Sequence, residues 1–143
     1  MMKKRFALLI FALVIPAFVA AAVFAFTDDQ AARGKEVYVK NCAVCHGADA
    51  KGGKVPQQFE KYAGMKVPAL AGPNALPGMK DAGQVYTTAK TQMPLHNPGS
   101  LTDQEYLDVV SFALLANGVK ADGKALTPES AKKIKLGAKT KKK

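Results

Sequence analysis

An all-α fold of three to five short helices, with long loops wrapped around a large apolar ligand, is what this sequence predicts. Three observations carry that expectation. Two segments, Asp28 to about Asn41 and Asp103 to about Ala116, repeat apolar residues at helical spacing. No segment alternates polar and apolar residues as a half-buried strand would. The stretch from Gly47 to Lys80 follows neither pattern, and irregular loops beyond about 12–15 residues are uncommon in a compact domain unless they wrap something. Helices this few expose too little apolar surface to one another, so a bound apolar group is expected to complete their interior.

Taken in order, the chain of 143 residues opens with Lys3, Lys4 and Arg5 before an uncharged apolar run. Small residues follow at Ala20-Ala21-Ala22 and Ala25, where a signal peptidase would cut, so residues 1–25 read as a secretory signal. The alternative is an uncleaved anchor, because Phe6 to Phe26 is long enough, at roughly 31 Å, to cross a hydrocarbon core of about 30 Å. Either way the basic cluster stays on the starting side and the rest faces outward. The expected location is a bacterial periplasm, free or anchored to the inner membrane.

Residues 26–118 form the expected domain. In the first helix Ala31, Gly34, Val37 and Tyr38 share a face, and Asp28 and Asp29 suit its positive N-terminal end. A shorter helix is expected from Asp81 to about Lys90, after the Pro- and Gly-rich segment Gly72–Gly78. The last helix is the best specified. Thr102 and Glu105 make a capping box, Leu101 and Tyr106 the matching hydrophobic staple, and Asn117-Gly118 the stop.

Residues 119–143 read as a basic tail. Ala131 to Lys143 holds seven lysines and no acid, a composition that usually stays solvated. Within it Thr127-Pro128-Glu129 suits the start of a short helix ending near Gly137, with Ile134 and Leu136 as its large apolar residues. The tail is either a solubilising end or a docking arm for an acidic partner or an anionic lipid surface. The net charge of +10 therefore sits at the two ends. Residues 26–130 carry eleven basic and eleven acidic side chains, so the folded part has no basic face and nucleic acid is excluded as a partner.

Chemistry concentrates in Cys42-Ala43-Val44-Cys45-His46. Cys-x-x-Cys-His is the attachment motif of c-type haem. Thiols one helical turn apart add to the two vinyl groups on one porphyrin edge, and the adjacent imidazole is carried under the ring towards iron. A thioredoxin-like pair would be indifferent to His46 and would need a βαβ setting that is missing. A zinc site would have to recruit His96, far outside zinc-finger spacing. Two cysteines cannot ligate an iron–sulfur cluster. For the sixth position on iron the candidates are Met65, Met79, Met93 and His96.

On these residues the chain resembles the class I cytochromes c over roughly residues 28–118. The resemblance rests on Cys42, Cys45 and His46, on Gly34 with Val37 and Tyr38 facing Val109, Val110, Phe112 and Ala113, on Pro68-Ala69-Leu70, and on Met93-Pro94. It implies the class I cytochrome c fold around one haem c, covalent through Cys42 and Cys45. It further implies His46 and Met93 as the iron ligands, the Pro68 carbonyl as acceptor for the other nitrogen of His46, and Leu70 packed on the ring. The segment Ala48–Tyr62 matches no family motif.

An iron closed by His46 and Met93 moves electrons and does not bind substrate. The expected function is thus periplasmic electron transfer from a dehydrogenase or membrane complex to an oxidase or other acceptor, without enzymatic activity of its own. The alternatives are a tightly bound cytochrome subunit of such a complex and, with an open iron, a haem sensor or enzyme.

Overall fold

The computed structural model describes residues 25–137. All but Ala25 of the expected signal or anchor segment at 1–25, and the last lysines, Lys139, Lys141, Lys142 and Lys143, lie outside them. Among the described residues there are five α-helices: α1 (Asp28–Asn41), α2 (Ala43–His46), α3 (Ala82–Gln92), α4 (Asp103–Ala116) and α5 (Pro128–Ala131). The expected all-α class holds. No helix among these residues is long and apolar enough to cross a membrane.

The frame is the crossing of α1 and α4. Gly34 sits where the helices touch, and a Cβ there would lie 1.8 Å from the Asp108 carbonyl oxygen. Only hydrogen lets the two backbones come this close. Beside the contact the Tyr38 and Phe112 rings pack with centroids 5.0 Å apart. Asp108, buried at the crossing, accepts from Arg33 Nε at 2.9 Å and Nη2 at 3.3 Å, and from Gln104 Nε2 at 2.7 Å. These three donors satisfy a carboxylate that would otherwise be costly to bury. The start of α4 is fixed locally. Glu105 N–H donates to Thr102 Oγ1 at 3.2 Å, and Thr102 N–H donates to Glu105 Oε2 at 2.8 Å. The bonds that Thr102 donates to Oε2, from its N–H and from its hydroxyl at 2.9 Å, hold the Glu105 carboxyl below its ordinary pKa.

Two findings depart from the sequence reading. The long loop after α2 contains a small antiparallel sheet, β1 (Gly53–Lys54) paired with β2 (Lys66–Val67). Strands of two residues are too short for any alternation to show in sequence. Gly52 admits the hairpin: its φ is +81°, and a Cβ there would meet the Val67 carbonyl oxygen at 2.4 Å.

The second departure concerns residues 119–137, expected as the first part of a solvated tail. They pack back on the domain. Leu126, Ala131 and Ile134 are buried in one cluster with Phe26, Tyr106, Leu107 and Leu114. Polar bonds fasten the segment along its length. The buried Gln30 amide accepts from Leu126 N–H at 2.7 Å and donates to the Leu126 carbonyl at 3.2 Å. Asp122 N–H donates to the Phe26 carbonyl, Ala82 N–H to Ile134 and Leu136 N–H to Lys80. Thr127 caps α5 with Pro128 in its first turn, as the sequence suggests, but the helix ends at Ala131 instead of near Gly137. The lysines of this segment point outward while its few apolar side chains cover the far side of α4, so composition alone mistook a strap for a tail.

Candidate functional site

Each sequence-designated residue reaches one apolar cavity of about 340 Å³. Cys42, Cys45 and His46 enter from the turn between α1 and α2, Pro68 and Leu70 from the loop after β2, and Met93 from the end of α3. Helix α4 divides its surface between two interiors. Leu107 and Leu114 go to the strap side, whereas Val109 and Ala113 line the cavity.

Cys42 is the C-cap of α1, its N–H donating to the Tyr38 carbonyl, and His46 ends the short helix that follows. This turn is what sends two thiols and an imidazole in one direction. Both cysteines are free thiols. Burial, helped by the neighbouring Cys45, pushes the Cys42 thiol up to about 11, and burial also raises Cys45. A redox-active pair needs the opposite shift, towards thiolate, so the thiol–disulfide alternative finds no support here.

His46 is buried, and its Nδ1 lies 3.1 Å from the Pro68 carbonyl oxygen. A carbonyl can only accept, so Nδ1 carries the proton and Nε2 keeps its lone pair. Burial lowers the pKa of His46 against the opposing pull of the Pro68 bond, which keeps the ring neutral and able to ligate. Pro68 is itself held in place. Leu70 N–H and Ala71 N–H both donate to the Ala50 carbonyl, at 2.8 and 3.0 Å, and the Asn117 side chain donates to the Leu70 carbonyl at 2.7 Å. Asn117 thus has a role beyond stopping α4, and sequence reading missed it because its partners are distant backbone atoms.

All four candidates for the sixth position, Met65, Met79, Met93 and His96, line the cavity. They differ in how they are held. Met65 is 52% exposed on the hairpin. The His96 ring is stacked on Phe59, centroids 5.0 Å apart. The Met93 backbone is pinned by three bonds: its N–H donates to Ala89, and its carbonyl accepts from Gly99 N–H and from the hydroxyl of buried Tyr106 at 2.6 Å. Met93 is extended, with ψ 152°, as the following Pro94 requires.

The donor set fits a haem. The lining is almost wholly apolar, two thiols stand a helical turn apart at one edge, and a neutral imidazole is aimed by a fixed carbonyl. Among the described residues no three His, Cys, Asp or Glu side chains gather as a metal cluster, so the zinc alternative has no ligand set. Val55 and Val67 of the hairpin also wall the cavity. Nothing local in the sequence marks them.

The chain is 34% identical over 93 residues to the thiosulfate dehydrogenase of Psychrobacter arcticus, covering 62% of this chain and 27% of that protein. It is 33% identical over 110 residues to the cytochrome c subunit of the quinone alcohol dehydrogenase of Gluconacetobacter polyoxogenes, covering 73% and 23%. The chain therefore spans about a quarter of the length of these curated relatives. The crystal structure of the sulfane dehydrogenase SoxCD from Paracoccus pantotrophus shares the fold, with a TM-score of 0.53 at 24% identity, over 94% of this chain and 67% of that one. The sequence pattern of the family described as Cytochrome c matches residues 31–114, more than half of the chain, which therefore belongs to the cytochrome c family.

Proposed function

We propose that the protein is an exported one-electron carrier of the periplasm. It takes electrons from a dehydrogenase or membrane complex and delivers them to an oxidase or other acceptor. The observation that carries this reading is that His46, fixed by Pro68, and Met93, fixed by Tyr106, line the same apolar cavity. Cys42 and Cys45 would hold the haem covalently, His46 and Met93 would ligate its iron, and Leu70 would pack against it. The bound haem supplies a single-electron couple between ferric and ferrous iron.

The chain's own part is threefold. With haem bound, apolar walls from Val55, Val67, Val109 and Ala113 would keep water from it, which favours the less charged reduced state. The neutral imidazole with its Nδ1 proton committed to Pro68 fixes ring orientation. A thioether from Met93 raises the potential relative to a second imidazole.

A second reading is favoured by the relatives. One of them is named as the cytochrome c subunit of a dehydrogenase, and this chain matches about a quarter of it. On that reading the protein is a firmly bound subunit, and the hairpin and strap are its contact surfaces. Purification from native cells separates the two. A free carrier leaves the column alone at high salt and titrates as one couple transferring one electron per chain. A stoichiometric dehydrogenase partner that persists at 1 M salt, where screening shortens to about 3 Å, contradicts the free carrier.

A further inference from the structure

The hairpin between β1 and β2 overlaps Ala48–Tyr62, where the sequence alone offers no motif, and it does more than fill a loop. Its neck is closed by two bonds of Val55, whose N–H donates to the Met65 carbonyl and whose carbonyl accepts from Gly64 N–H, each at 2.9 Å. At its tip Phe59 is fixed from both sides. Its N–H donates to the Pro56 carbonyl at 3.1 Å, and its own carbonyl accepts from Tyr62 N–H at 2.8 Å at the start of the 3₁₀ turn Glu60–Tyr62.

From that fixed backbone the Phe59 ring crosses to a different segment and stacks on His96, with an interplanar angle of 27°. His96 belongs to the loop that begins at Met93. Residues of both segments wall the same cavity: Val55, Met65 and Val67 on one side, Met93, Leu95 and His96 on the other. The stack is thus a bridge between the wall that follows His46 and the loop that carries the thioether.

We propose that the Phe59–His96 stack is a clasp that locks the hairpin onto the Met93 loop, making Phe59 and His96 positioning residues for the sixth ligand of iron. This inference rests on the His46/Met93 reading above. The Met93 backbone is pinned towards α3 and α4, but beyond Pro94 the loop turns through Asn97, Pro98, Gly99 and Ser100, all exposed. The half-buried Phe59 ring reaches this outer part from the hairpin side, at the exposed His96. Removing an aromatic contact of this kind shifts an opening equilibrium by roughly three- to tenfold.

The test uses the haem-loaded full chain and compares native protein with Phe59→Ala, Phe59→Tyr, His96→Ala and the double variant Phe59→Ala/His96→Ala. Amide hydrogen exchange is followed at Met93 and Asn97, whose N–H groups donate to Ala89 and Pro94. Displacement of the sixth ligand by added imidazole is followed in the ferric protein. Phe59→Ala should speed both by roughly three- to tenfold, Phe59→Tyr should behave as native, and the double variant should be no faster than either single one. Native exchange in Phe59→Ala, single effects that multiply in the double variant, or faster exchange with native imidazole displacement each overturn the clasp. Failure of the underlying reading looks different: the native ferric protein would lack the far-red absorption of iron-bound methionine, while the exchange comparison would still decide whether the stack holds the loop.

Discussion

Replacing both Cys42 and Cys45 with alanine leaves no covalent haem and a chain that is largely unfolded. The expected size follows from the cavity. Space of about 340 Å³ lined by apolar side chains, costed at about 24 cal/mol per Å³, amounts to on the order of 8 kcal/mol. Because the cavity opens to solvent this is an upper figure, yet a domain of this size has only about 5–15 kcal/mol of total stability. Small domains built around a prosthetic group fold only when loaded for this reason. Far-ultraviolet circular dichroism of the purified variant measures the outcome. A helical, cooperatively melting variant without haem would show that α1 and α4 hold together unaided and would contradict the account.

Gly34→Ala has the next largest expected effect. A Cβ at this position would stand 1.8 Å from the Asp108 carbonyl oxygen and 3.0 Å from the Val109 nitrogen. Both are backbone atoms of α4, so no side chain can swing aside. The helices must separate, which loosens the Tyr38–Phe112 contact and lengthens the bonds from Arg33 to Asp108. The loss should be about 3 kcal/mol, the upper end of overpacking effects, with a fall in melting temperature of roughly 10 °C or more. Thermal melts of native and variant haem-loaded protein check this. An unchanged melting temperature would mean that the crossing is not the structural keystone described above.

The legible and illegible parts of this fold divide by the range of the interactions that specify them. Helix α4 could be read because its signals are local: Thr102, Glu105 and Asn117 lie within or beside it. Gly34 with Tyr38 was readable as a crossing face because the spacing is helical and the residue types are unusual together. Cys42, Cys45 and His46 are contiguous, so their chemistry is visible in five residues.

The rest depends on distant partners. The strap at 119–137 is fastened by Gln30, Phe26, Lys80 and Ala82, and nothing in its own lysine-rich composition announces them. The hairpin has strands of two residues, and its Phe59 meets His96 only after the chain has folded. Choosing among Met65, Met79, Met93 and His96 was open to sequence reading only through family resemblance. The structure adds a physical feature of Met93, whose backbone is pinned by three bonds, the Tyr106 hydroxyl on its carbonyl among them.

The central claim is that His46 and Met93 close the iron on both sides, so that the protein carries electrons. The measurement that tests it most directly is the optical spectrum of the ferric full-length protein, native and Met93→Ala, in the far red, where methionine sulfur on haem iron gives a weak band. The account predicts that the band is present in the native protein, disappears in Met93→Ala, and survives in Met79→Ala and His96→Ala. A native protein without the band, or a Met93→Ala variant that keeps it, would contradict the assignment and place another residue, or an open site, on the sixth side of iron.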